Sequence, residues 1–182
     1  MTYYGGKELA ASFRTVRNNT IKIAEEIPEN RYDFRAAPDT RTIGQTLTHI
    51  ALGPSFQYHI HSDKIDSLAK VNFPELMQKI SAEEAKPRNK AELVAFLKAE
   101  GERFASFLEG LSESFLAETV AMPPGADPAA RSRFEMLLSS KEHEMHHRGQ
   151  LMVLQHMIGL VPHLTRQMQE RMAQAQQGAR TR

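Results

Sequence analysis

Apolar residues recur three or four apart over long segments of this chain, the segments end at prolines, and no run of alternating β-branched residues interrupts them. This pattern specifies an all-α fold. A first helix is expected over residues 7–27, where Leu9, Phe13, Val16, Thr20, Ile23 and Ile27 share a face and Pro28 follows the last turn. Thr42 followed by Gln45 has the form of a capping box and starts a second helix over 43–62. Pro54 falls inside it, removes a backbone hydrogen bond, and predicts a kink near Gly53. Asn89 with Glu92 opens a third helix, whose stripe is Leu93, Phe96, Leu97, Phe104, Phe107, Leu108 and Leu111.

A short helix opened by Pro74 is expected between the second and third long helices, closed at Pro87. Residues 120–128 carry three prolines and a glycine and read as loop, with Asp127 as N-cap and Pro128 in the first turn of a fourth helix over 129–158. Gly159 and Pro162 end that helix, and a last short one follows over 165–176. Four long helices with connections of unequal length make a four-helix bundle with additional short helices. At 182 residues the chain fits one domain, taken as residues 1–172, with 173–182 as a flexible tail.

Charge and composition narrow the function. Lys and Arg total 23 against 22 Asp and Glu, a balance that argues against a nucleic-acid partner. The polar start of the chain lacks a secretory pattern and no window is apolar enough to span a bilayer, so a cytoplasmic protein without a membrane partner is expected. Cysteine is absent, so any metal must sit on His, Asp or Glu.

Five of the eight histidines lie between residues 143 and 163, three of them in the run His143-Glu144-Met145-His146-His147. With about 100° per residue and Phe134 at zero, Met136 and Leu154 fall at about 200°, Ile158 at about 240° and Leu151 at about 260°. His143 at about 180° and His147 at about 220° share that inward face. Imidazoles at i and i+4 can chelate one divalent ion, whereas burying two unpartnered rings costs about 1–3 kcal/mol each. His146 belongs at a helix edge. A third nitrogen is expected from another helix: His49 shares its face with Gly53, Phe56 and Ile60, a setting that His59 and His61 lack. A single core-facing histidine is ordinarily a hydrogen-bonded core residue; two on one helix at chelating spacing reverse that reading. His49, His143 and His147 therefore form the candidate metal site, with coordination positions left open for water or a small-molecule substrate.

The same run spells His-Glu-x-x-His, the pattern of zinc peptidases with Glu144 as base. Its extended form needs a glycine and a histidine downstream, where Gln150 and Val153 stand, and the alternative ligand Glu170 lies beyond Pro162. No strands are expected to supply a substrate-binding edge.

The segment His143-Glu-Met-His-His147-Arg148-Gly149-Gln150, running on to Gly159-Leu-Val-Pro162, resembles the closing motif of DinB-like proteins, and Thr46-Leu-Thr-His49-Ile-Ala resembles their second-helix motif. The resemblance implies an up-down-down-up four-helix bundle, a divalent metal on His49, His143 and His147, and often a homodimer. Some relatives are transferases for low-molecular-weight thiols, such as bacillithiol transferases and the mycothiol-dependent maleylpyruvate isomerase. The expectation is a metal-dependent transferase acting with such a thiol, which would supply the nucleophile that a cysteine-free chain lacks. The alternatives are metal-assisted hydrolysis, with Glu144 as base if it turns toward the site, and a stress-associated metal-binding protein without turnover. Imidazole ligands suit zinc, nickel, copper or iron, with zinc and nickel foremost. Arg148 and Gln150 are candidates for orienting the ligands, with Arg148 placed nearer a helix edge.

Overall fold

A computed structural model describes residues 4–180, with side chains through residue 177. It is an all-α four-helix bundle of the up-down-down-up kind. The long elements are α1 (Gly6–Glu26), the broken pair α2 (Ile43–Leu52) and α3 (Ser55–Ser62), α5 (Lys90–Glu109) and α7 (Arg133–Met157). Helix α4 (Phe73–Glu84) lies in the long crossover that returns the chain between α3 and α5, and packs on α2. Helix α6 (Glu113–Ala117) is a single short stretch before a hairpin.

The capping signals act where the sequence places them. Thr42 Oγ1 accepts from the Gln45 amide at 3.1 Å, and Gln45 Oε1 accepts from the Thr42 amide at 2.9 Å. Asn89 and Glu92 make the same reciprocal pair at 2.9 Å each. Each pair satisfies two helix-terminal donors that would otherwise lack partners. Near Pro54 the expected kink is a full break: α2 ends at Leu52, Gly53 caps it, and α3 begins at Ser55.

Two expectations are corrected. The expected loop over 120–128 is framed by a hairpin: β1 (Thr119–Ala121) pairs antiparallel with β2 (Ala130–Ser132). The pairing draws 130–132 away from the helix, so α7 starts at Arg133 with Ser132 as its N-cap instead of starting at 129 behind Asp127. The terminal helix α8 (His163–Arg180) is also longer than the expected 165–176, and residues 181–182 lie outside the described residues. Among the described residues no helix is long and apolar enough to cross a membrane.

The core has three regions. Ile23, Ile27, Leu47, Ile50, Leu97 and Leu151 fill the one that adjoins the histidine-bearing part of α2. Phe13, Phe104, Leu108 and Leu137 fill a second, and Ile60, Leu68, Val120 and Met136 a third beneath the hairpin. A buried cation joins the long helices. The Arg17 guanidinium from α1 donates to Leu97 O of α5 at 2.9 Å, to Ile50 O of α2 at 3.0 Å, and to both carboxylate oxygens of Glu144 of α7 at 3.0 Å. Gly101 leaves room for it, since a Cβ there would lie 2.7 Å from Arg17 Cγ.

Candidate metal centre

The break after α2 shapes the site. His49 sits in the last full turn of α2, and His143 and His147 are one turn apart on α7, which packs against it. Gly53 lies opposite His143: a Cβ at that position would stand 2.8 Å from His143 Nδ1, so only glycine lets the imidazole occupy the gap. The room left by Gly53 is thus filled by a ligand candidate from α7.

Three nitrogens converge. His143 Nε2 is 3.1 Å from His49 Nε2 and 3.2 Å from His147 Nε2, and the three candidate ligand atoms all lie within 4.8 Å of one another. An ion at about 2.0–2.1 Å from each nitrogen needs nitrogens about 3.0–3.4 Å apart, the range that both measured pairs occupy. The group could therefore hold a metal ion.

Neighbouring oxygens set the tautomers. Gln150 Oε1 accepts from His147 Nδ1 at 2.8 Å, and Glu84 Oε1 of α4 lies 3.5 Å from His49 Nδ1. An amide or carboxylate oxygen can only accept here, so each holds the imidazole proton on Nδ1 and leaves the Nε2 lone pair facing the other rings. Glu84 also takes the Arg41 Nε at 3.3 Å.

Electrostatics keep the rings neutral. Burial and then the neighbouring imidazoles push His143 down to about 4. Burial lowers His49, reinforced by the Arg41 cation and opposed by Glu84; burial also lowers His147, against the Gln150 hydrogen bond that favours its charged form. Three neutral imidazoles at neutral pH are what a divalent ion requires.

A cleft of about 710 Å³ opens beside the histidines, lined by Arg41, Thr46, His147, Gln150, Val153 and Leu154 among others. It can admit a small molecule to the exposed side of the group.

The other sequence candidates stand elsewhere. Glu144 does not face the histidines: it is 1% exposed and closed into the ion pair with Arg17. His146 is exposed and contacts Gln150. His59 lies 3.1 Å from Asp63 at the surface. His61 is buried, where its Nδ1 accepts from Arg133 Nη1 at 3.2 Å and its Nε2 meets Gln57 Oε1 at 3.1 Å.

Glu84 and Arg41, absent from the sequence candidates, reach the site from α4 and from the loop before α2. No local pattern marks them, because only the packing of α4 on α2 brings them there. The Arg17–Glu144 pair carried a legible signal: on the α7 wheel Glu144 falls at about 280°, beside Leu151, and Arg17 sits on the apolar face of α1.

A comparison with curated proteins finds no match. Among solved structures, the chain is similar to a DinB-like protein from Bacillus subtilis, with 20% identity, a TM-score of 0.62, and coverage of 84% of this chain and 92% of the other. A DinB-like protein from Bacillus cereus gives 17% identity, a TM-score of 0.64, and coverage of 85% and 93%. YfiT from Bacillus subtilis, reported as a probable metal-dependent hydrolase with an unusual four-helix bundle topology, gives 12% identity, a TM-score of 0.65, and coverage of 88% and 91%. At these identities the likeness concerns the fold. The DinB superfamily model matches residues 12–151, a span that runs from α1 through His49 to His143 and His147 of α7, and the chain therefore belongs to the DinB superfamily.

Proposed function

We propose that this protein is a metal-dependent transferase that activates the sulfur of a low-molecular-weight thiol, with His49, His143 and His147 as the ligands of a divalent ion, zinc or nickel foremost. A divalent ion so held lowers the pKa of a thiol and makes it nucleophilic at neutral pH without a protein base. The observation that carries this reading is the position of Glu144. The one carboxylate placed by the His-Glu-x-x-His pattern to act as a base is turned away and held by Arg17.

The chain's own groups fit that task. Gln150 and Glu84 fix the two outer imidazoles with Nε2 free. The Arg41 cation stands near the three neutral rings, where it favours negative charge on an incoming group. Val153 and Leu154 give the cleft an apolar wall against which a small electrophile can rest. A cytoplasmic homodimer is part of the same proposal and rests on the family resemblance.

A hydrolytic reading is the second possibility, supported by the printed description of YfiT. The test is turnover by metal-loaded, tag-free protein with a panel of small thiols and a chromogenic electrophile, beside ester and amide substrates without thiol. Thiol-dependent conjugation that disappears in His147→Ala supports the transferase. Thiol-independent cleavage that disappears in the same variant overturns it in favour of the hydrolase.

A further inference from the structure

The cleft beside the histidines holds an unfinished cation. Arg41 lines it together with His147 and Gln150, and its side chain is 49% exposed. Among the described residues its only polar partner is Glu84, reached through Nε at 3.3 Å, so both Nη amino groups carry no protein partner. Three arginines buried in or bridging the bundle are used differently. Arg17 spends its Nη groups on Leu97 O, Ile50 O and Glu144, and Arg14 spends its own on Glu102 and Glu109. Arg133 is likewise engaged, with Glu118 and His61.

We infer that Arg41 is a specificity-determining residue that anchors a carboxylate of the substrate while another part of that molecule reaches the histidines. A guanidinium offers a planar fork of donors that matches a carboxylate with two parallel hydrogen bonds, and such charge-assisted pairs are about twice as strong as neutral ones. The Nη edge is the one left open, because Glu84 occupies the Nε side. Glu84 also orients the fork and, through the same Oε1, faces His49 Nδ1, so the carboxylate anchor and the histidine group are tied to one side chain. Asp39 lines the cleft as well with the opposite charge, so Arg41 is the cation among the lining residues and the group there able to pair with a carboxylate. The apolar wall of Val153 and Leu154 then accommodates the carbon chain between the two ends of the ligand. The substrate class is a small molecule with a carboxylate at one end and the reacting group at the other, and a thiol acid is its simplest form. This inference rests on the reading of the histidine group as a metal-dependent thiol site.

The test uses cobalt-loaded full-length protein, whose visible spectrum responds to a thiol at the metal. The probes are mercaptoacetate, 3-mercaptopropionate and 4-mercaptobutyrate, each compared with its own carboxamide, so that only the negative charge differs at three lengths. At least one acid should bind wild type about ten-fold or more tightly than its amide, and Arg41→Gln should bring that ratio close to one. A ratio near one for all three pairs in wild type overturns the inference, as does a preference that survives in Arg41→Gln. If the protein takes up no cobalt, the metal reading has failed by itself. The anchor is then read on metal-free protein from the Arg41 guanidinium Nε–H resonance during titration with 4-mercaptobutyrate and its amide. A shift caused by the acid alone sustains the anchor, and equal or absent shifts overturn it.

Discussion

Replacing Glu144 with Ala leaves the Arg17 guanidinium buried without its counter-charge. The two side chains are 3% and 2% exposed, and the pair is closed by contacts of 3.0 Å. In Glu144→Ala, Arg17 keeps only the carbonyl oxygens of Leu97 and Ile50 as partners. Truncating one member of a buried ion pair costs about 3–5 kcal/mol, because the remaining charge stays in the interior uncompensated. For a domain of this size each kcal/mol lowers Tm by about 2–4 °C, so a fall of about 6–20 °C is expected. The double variant Arg17→Met with Glu144→Leu leaves no isolated charge and should recover much of the loss. Ile50 O still receives the Gly53 amide at 3.3 Å in that variant. The assay is thermal unfolding of the metal-free protein at neutral pH, followed by circular dichroism at the helix band. A Glu144→Ala variant that melts within about 2 °C of wild type would show that the pair is not needed to hold Arg17 in the core. If that unchanged variant also lost turnover by about 10²-fold, Glu144 would belong to the chemistry as a general base.

Gly53→Ala tests the packing of α2 against α7. A Cβ there would stand 2.8 Å from His143 Nδ1, while the helical backbone at Gly53 accepts alanine. The imidazole must therefore move, and metal affinity should drop at least ten-fold with Tm nearly unchanged; equal affinity in calorimetric titration would contradict the fit. His61 gives a pH effect of definite sign. Burial, and then the Arg133 cation, bring it down to about 4, whereas the unfolded chain titrates at about 6.5. Between those values the unfolded state binds a proton that the folded state refuses, so stability falls as pH drops from about 6.5 to about 4. His61→Gln should lessen that slope by about one proton in urea unfolding measured across the window, and an unchanged slope would show that His61 is not held neutral.

Local chemistry explains which parts of the fold were legible. Capping boxes at Thr42 and Asn89 announce α2 and α5 because both partners lie within four residues of each other. The i, i+4 spacing of His143 and His147 projects both onto one face of α7 whatever surrounds it. The start of α7 differs from the expected 129 because Asp127-Pro128 imitates a helix N-terminus, while pairing of 119–121 with 130–132 holds the chain extended up to Ser132. Ser132 with Glu135 was itself a legible cap, its hydroxyl accepting from the Glu135 amide at 3.2 Å. Glu144 shows how a familiar template can mislead, since the wheel that turns His143 inward also buries Glu144 toward α1, where Arg17 waits on the apolar face. The parts of the site contributed by Glu84 and Arg41 depend on the crossover helix and on a loop, and neither carries a periodic signal.

The proposal places one divalent ion between α2 and α7 on His49, His143 and His147. Elemental analysis of tag-free protein after equilibrium dialysis against zinc measures this directly, in wild type, in the three single His→Ala variants, and in His59→Ala as control. About one ion per chain is expected in wild type and in His59→Ala, with a sharp loss of affinity in each of the other three. Zinc retained at wild-type stoichiometry and affinity in His49→Ala, His143→Ala and His147→Ala alike would contradict it.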